Sequence, residues 1–240
     1  MPRIPDDMVV AIAYRICDNE TGGALEVLTH WNRGEDFASL GIGHFIWYPK
    51  GKRGPFQESF PPLLAYLEAC GVKLPAWLQG RPPCPWPDRR AFSEDIDSPR
   101  MLELRALLGS TVYAQGRFMA DRLEAALPRM LAATPRSLRP RVLSRFRALS
   151  AQKQGLYALV DYVNFKGEGV SRSERYKGRG WGLLQVLAQM RGDPEGPEAV
   201  AEFSRSAGRV LARRVRNSPA ERKESRWLAG WRKRLRTYPS

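Results

Sequence analysis

Met8, Val9, Ile12, Ala13, Ile16 and Cys17 recur at the three- and four-residue spacing of one helical face. Asp6 and Asp7 precede them as cap and first-turn carboxylates, so a first helix is expected up to about Asp18 or Asn19, closed by Thr21-Gly22-Gly23. Glu20 then stands at the end of a buried helix. The pattern changes over 24–50. Short β-prone pieces at 25–28 and 39–48, parted by Asn32-Arg33-Gly34 and punctuated by Gly41 and Gly43, read as a small irregular hairpin or loop layer. Residues 51–100 are rich in Pro and Gly and predict one helix, 61–69, followed by a long connector through Pro82-Pro83-Cys84-Pro85-Trp86-Pro87. From Ser98 onward the spacing predicts helices near 99–110, 111–132, 138–149, 154–164, 182–190, 196–216 and 219–235. The last of these is expected to start at Ser218-Pro219-Ala220-Glu221, with Ser as the cap, Pro in the first turn and Glu three residues after the cap. The expected fold class is mainly α (α+β). We expect a single domain over 1–240, in which a small β or loop lobe at 24–50 faces a helical body at 98–240 across a cleft.

A chain of 240 residues can bury a sizeable core without disulfides or metals, and 43% hydrophobic with 27% charged residues excludes a wholly disordered chain. No apolar run approaches the roughly 18 residues of a membrane span. Cys17, Cys70 and Cys84 have no metal-ligand spacing, and His30 and His44 are the only histidines, so neither a metal nor an organic cofactor is expected. The net charge of +14 is unevenly placed. Residues 1–100 carry 11 basic against 13 acidic groups, 101–200 carry 16 against 9, and 201–240 carry 12 against 3. The excess thus lies on the C-terminal helices, away from the stretches richest in Gly and Trp. This argues against nucleic acid as a partner, and it suits either a solvated Arg-rich face or a carboxylate-bearing polymer such as bacterial cell wall.

Two loops are denser in Gly, carboxylates, amides and aromatics than a helical bundle needs. The first, 20–48, holds Glu20, Glu35, Asp36, Ser39 and His44; the second, 161–185, holds Asn164, Glu168, Glu174, Tyr176 and Gln185. Carboxylates, amides and aromatic rings without a metal cage are the tools of glycosidic-bond chemistry. One carboxyl kept protonated by burial donates to the leaving oxygen, and a second, charged one can orient water or stabilise the sugar cation. Each residue also has a plain structural role open to it: Asp36 as a solvated turn residue, Ser39 bonding its own backbone, His44 tying a hairpin together. Gln185 could be a local cap partner, and Tyr176 a core ring.

Glu20 at the end of the first helix, a polar loop, and then Ser39-Leu40-Gly41-Ile42-Gly43-His44 resemble the phage-type lysozymes (endolysins). In that family a catalytic Glu ends the first helix, and a hairpin with an Asp, a Thr or Ser and a Gly-Ile-Gly-His signature follows. Gly182-Leu183-Leu184-Gln185 is similar to the Gly-Leu-Met-Gln element of lytic transglycosylases of the same lysozyme-like superfamily. The resemblance covers about 30 residues strongly and about 20 more weakly. The family aspartate, six residues before the Thr, falls here on Arg33, whereas Glu35 and Asp36 lie four and three residues before Ser39. The resemblance implies a lysozyme-like fold and cleavage of the β-1,4 bond between N-acetylmuramic acid and N-acetylglucosamine in peptidoglycan glycan strands, by a muramidase or a lytic transglycosylase. Glu20, Asp36 and Ser39 would be the catalytic group, and His44, Glu174, Tyr176 and Gln185 would bind substrate.

The rival reading is a non-enzymatic basic helical module that binds nucleic acid or glycan through Arg205–Arg216 and Arg222–Arg236. The N-terminus, with only a short apolar stretch at 8–13, reads as no signal peptide. A cell-wall enzyme would therefore sit in the periplasm or cell envelope only if an export segment had been removed.

Overall fold

The computed structural model describes residues 3–21, 25–54 and 56–239, with the side chains at 19–21 and 25 outside the description. It is mainly helical with two small antiparallel sheets. The chain divides into two compact units, Ile4–Asp121 and the residues from Arg122 on, so the division falls inside one long helix. No helix among the described residues is long and apolar enough to cross a membrane.

In the first unit, α1 (Asp6–Thr21) opens with Asp6 and Asp7 in its first turn, as their charge at a helix N-terminus favours. Its approach to the start of α5 (Val112–Ala133) is close. A Cβ on Gly116 would lie 2.4 Å from the Ala13 side chain, so only glycine admits this contact. Buried Arg117 donates to the Ile4 carbonyl at 2.7 Å and pairs with Asp121, which fixes the entry to α1. The expected loop layer is a three-stranded sheet in the order β1 (Thr29–His30), β2 (Ala38–Leu40), β3 (Phe45–Trp47). Its register sets Ser39 between His30 and Ile46. Residues 25–28, read as β-prone, form a 3-10 turn instead, and the strand starts only at Thr29.

After α2 (Phe60–Ala69) the Pro-rich connector wraps the fully buried Trp47, whose indole donates to the Pro82 carbonyl at 3.0 Å. Burial pushes the Cys84 thiol up to about 12, so this cysteine is an inert core residue. The connector also holds a helix that the sequence reading leaves out, α3 (Arg89–Glu94), started by the Asp88 carboxylate accepting from the Ala91 amide at 2.9 Å. α4 (Pro99–Ser110) starts as its sequence signals it should, with Ser98 capping Met101 and Pro99 in the first turn.

The second unit takes in the rest of α5, α6 (Arg139–Ser150), α7 (Lys153–Lys166), a two-stranded hairpin of β4 (Arg175–Tyr176) and β5 (Arg179–Gly180), α8 (Leu183–Gln189), α9 (Gly196–Asn217) and α10 (Leu228–Arg236). The single helix expected over 219–235 is two 3-10 turns followed by α10. Ser218 closes α9 instead of opening a new helix: it is extended before Pro219, and its hydroxyl donates back to the Val215 carbonyl at 2.8 Å. Lys223 then takes a left-handed φ of 48° and resets the chain.

This unit is held by buried charge. Asp161 on α7 is 1% exposed, receives both arms of Arg234 at 2.8 and 2.6 Å, and accepts the Tyr238 hydroxyl at 2.6 Å. Glu224 is 1% exposed and receives both arms of Arg214 at 2.7 and 2.8 Å. Glu202 pairs with Arg205 and Arg209. Arg205, Arg209, Arg214 and Arg234, on α9 and α10, are therefore each paired with a carboxylate of the same unit.

Candidate functional site

The first loop folds around a turn that its neighbours over-determine. Gly41 has φ +68°, and its amide donates to the Leu28 carbonyl at 2.8 Å. The Ile42 amide donates to Gln115 Oε1 at 3.0 Å, while Gln115 Nε2 donates to the Leu108 carbonyl and to Thr111 Oγ1 at 2.7 and 3.1 Å. Gln115 has no exposed surface, and a Cβ on Gly41 would lie 2.3 Å from its Oε1, so this turn needs glycine on two grounds. Arg105, also buried, donates to Thr29 Oγ1 at 2.9 Å and braces β1. His44 closes the turn with a left-handed φ of 48° and is half-buried; its amide donates to the Gly41 carbonyl.

The sheet brings Ser39 and the Gly41–His44 turn together, with Ser39 buried in the central strand. Asp36 stands exposed at the bend before β2. Glu20 lies in the last turn of α1; its side chain, and the glycines at 22 and 23, lie outside the described residues.

The second loop starts where Gly167, at φ +74°, ends α7. The carbonyls of Gly167 and Glu168 accept from the amides of Leu183 and Leu184 at 3.0 and 2.9 Å, so the loop backbone satisfies the first free N–H groups of α8. Gln185 closes the arrangement: its Oε1 accepts from the Gly182 amide and its Nε2 donates to the Gly169 carbonyl, both at 2.9 Å. The Gly182-Leu183-Leu184-Gln185 element thus clamps loop to helix, and both ends of the Gln185 amide are occupied by backbone. A Cβ on Gly182 would lie 2.2 Å from the Gly169 nitrogen and 2.4 Å from its Cα. Gly182→Ala is therefore expected to cost about 1–3 kcal/mol by overpacking, read as a melting temperature lower by about 2–12 °C.

Tyr176 packs its ring on Trp181 at 4.6 Å and donates its hydroxyl to Glu224 Oε1 at 2.8 Å. The Arg214 guanidinium lies 4.2 Å over Trp181. Burial alone would raise the Glu224 carboxyl. Two hydrogen bonds and the charge of Arg214, helped by the Tyr176 hydroxyl and the charge of Lys166, more than offset it and hold the group below its ordinary 4.5. A depressed folded value stabilises the fold above the ordinary value, and the stabilisation is lost as pH falls through the folded one. Melting curves recorded from about pH 6 to about pH 3 should show a stability loss below pH 4.5 that Glu224→Gln makes shallower.

Glu168 and Glu174, the loop's two carboxylates, meet a pair of arginines that the sequence reading misses. Arg129 binds Glu168 with both arms, its Nε at 2.9 Å from Oε2, and Arg122 donates to Asn164 Oδ1 at 3.1 Å. Burial draws the Arg122 guanidinium below its usual value, and the charges of Glu168 and Glu174 oppose that fall. Glu174 sits over the Gly167 turn, its Oε2 3.0 Å from where a Cβ would be. Arg122 and Arg129 lie seven residues apart on one face of α5, and that spacing was the signal available in the sequence. Among the described residues no group of three or more His, Cys, Asp or Glu is placed to hold a metal ion. No family model, no curated protein and no solved structure matches this chain.

Proposed function

We propose that this protein cleaves the β-1,4 bond between N-acetylmuramic acid and N-acetylglucosamine in peptidoglycan, with Glu20 as the general acid. The observation that carries the reading is the order of elements in the first unit. A helix with a glutamate in its last turn is followed by a three-stranded sheet, whose β2–β3 connection is the braced Gly41-Ile42-Gly43-His44 turn. That is the order in which phage-type lysozymes present their acid and their hairpin. Ser39 and His44, held by the sheet and its turn, would shape the sugar-facing side of that hairpin.

A single-glutamate route is the version we favour. Asp36 is exposed at a bend, and Glu168 is held in an ion pair with Arg129, so neither is set up as a second catalytic carboxylate. Glu20 would give its proton to the leaving O4 as the C1–O4 bond breaks. The resulting carboxylate would then take the proton of the muramic acid 6-hydroxyl as O6 bonds to C1, leaving a 1,6-anhydro sugar. The test is mass spectrometry of soluble muropeptides released from purified peptidoglycan by the wild-type chain and by Glu20→Gln. Anhydro ends from wild type and none from the variant support the whole reading. Reducing ends would replace transglycosylation by hydrolysis, and equal release by both proteins would remove Glu20 from the chemistry.

A further inference from the structure

The arginines of α9 fall into two kinds. Arg205, Arg209 and Arg214 each face a carboxylate of their own unit. Arg213 and Arg216, one turn apart on the same helix, do not, and neither does Arg179 on β5; among the described residues none of these three forms an ion pair. Arg213 is nonetheless held rigidly, by neutral acceptors: its Nη1 donates to Gln189 Oε1 at 2.7 Å and its Nη2 to the Gly180 carbonyl at 3.2 Å. The second of these bonds ties Arg213 to the residue next to Arg179. Burial and the like charges of Arg179 and Arg216 push the Arg213 guanidinium below its usual value, so the three groups feel one another. Lys177, exposed at the tip of the hairpin, adds a fourth cation to the same β4–β5 element. A fold that supplies carboxylates to the neighbouring arginines has gathered these without one.

We propose that Arg179, Arg213 and Arg216 form a subsite for the carboxylates of the peptide stems carried by the glycan strand. This rests on the peptidoglycan reading and extends it from the glycosidic bond to the peptide beside it. A guanidinium fork matches a carboxylate with two parallel hydrogen bonds, and a rigidly held fork loses little freedom on binding. Single-stranded nucleic acid would need aromatic faces for its bases. The aromatics of this hairpin are already spent: Trp181 is 2% exposed beneath Arg214, and Tyr176 is bonded to Glu224.

The test compares soluble peptide-bearing glycan oligomers with the same oligomers stripped of their stems by an amidase. The variants are Arg179→Gln/Arg216→Gln, which leaves the Arg213 anchors intact, and the triple variant that adds Arg213→Gln. The control, Arg232→Gln/Lys233→Gln/Arg236→Gln, removes three exposed charges from α10. On peptide-bearing oligomers KM should rise by about tenfold for each fork lost, with kcat unchanged. Stripped oligomers should be cut equally by the cluster variants and wild type, and the α10 control should match wild type on both. Equal losses on both substrates, or equal losses in the control, would overturn the subsite. If wild type cuts neither substrate, the glycosidase reading fails by itself, and calorimetry with a free, uncapped stem tetrapeptide decides the cluster. Binding lost in Arg179→Gln/Arg216→Gln sustains it; no binding, or salt-sensitive binding only to duplex DNA, overturns it.

Discussion

Glu20→Gln should lower the release of muropeptides by about two to four orders of magnitude, the usual worth of a positioned general acid. The amide keeps the shape and hydrogen-bonding reach of the carboxyl but has no proton to give the departing oxygen. Binding of glycan strands should survive, so a pull-down on insoluble peptidoglycan separates lost chemistry from lost recognition. Glu20→Asp keeps the acid and withdraws it by one methylene, and its release should fall between the two. A Glu20→Gln protein that cuts within about threefold of wild type would sink the assignment, since no general-acid contribution is that small.

The second large effect concerns stability. Asp161→Ala leaves the Arg234 guanidinium and the Tyr238 hydroxyl, which has no exposed surface, without the carboxylate that both bond. Removing one partner of a buried pair costs about 3–5 kcal/mol, which for a chain of this length lowers the melting temperature by about 6–20 °C. The loss comes less from the missing attraction than from the charge left behind. Asp161→Leu combined with Arg234→Leu and Tyr238→Phe should therefore recover part of it. Asp161→Ala melting within about 2 °C of wild type would mean that water replaces the carboxylate and that the network is not the keystone of this unit.

How far the sequence could be read depended on the range of the interactions that decide each element. α4 begins and ends where Ser98, Pro99 and the apolar spacing place it, because its cap and its stripe lie within a few residues of one another. α3 carried an equally local signal, Asp88 three residues before Ala91, which the surrounding prolines masked. The end of α9 went the other way. Ser218-Pro219-Ala220-Glu221 is a sound helix start by local rules, yet buried Glu224, bonded to Arg214 on the preceding helix, draws the chain into 3-10 turns there. Nothing in Glu221-Arg222-Lys223-Glu224 marks which glutamate goes inside. Gln115 is similar: it reads as one more polar residue on α5, and only the fold brings it to the Ile42 amide, 73 residues away. Each glycine-rich loop was legible by itself, whereas the partners that hold it were not.

The clamp between the second loop and α8 has a consequence for cooperativity. A seven-residue helix has no stability of its own in water. Its first amides are closed by Gly167 and Glu168, and the carbonyls near its end are closed by Arg145 of α6, whose Nη1 donates to Leu187 at 2.8 Å. Loop, short helix and buried guanidinium therefore order together or not at all. The amides of Leu183 and Leu184, bonded to Gly167 and Glu168, should therefore exchange with the core of their unit and not with the fraying fringe where surface loops usually lie. The loop's conformational entropy is surrendered at the folding step, so a ligand that meets its carboxylates finds them already ordered.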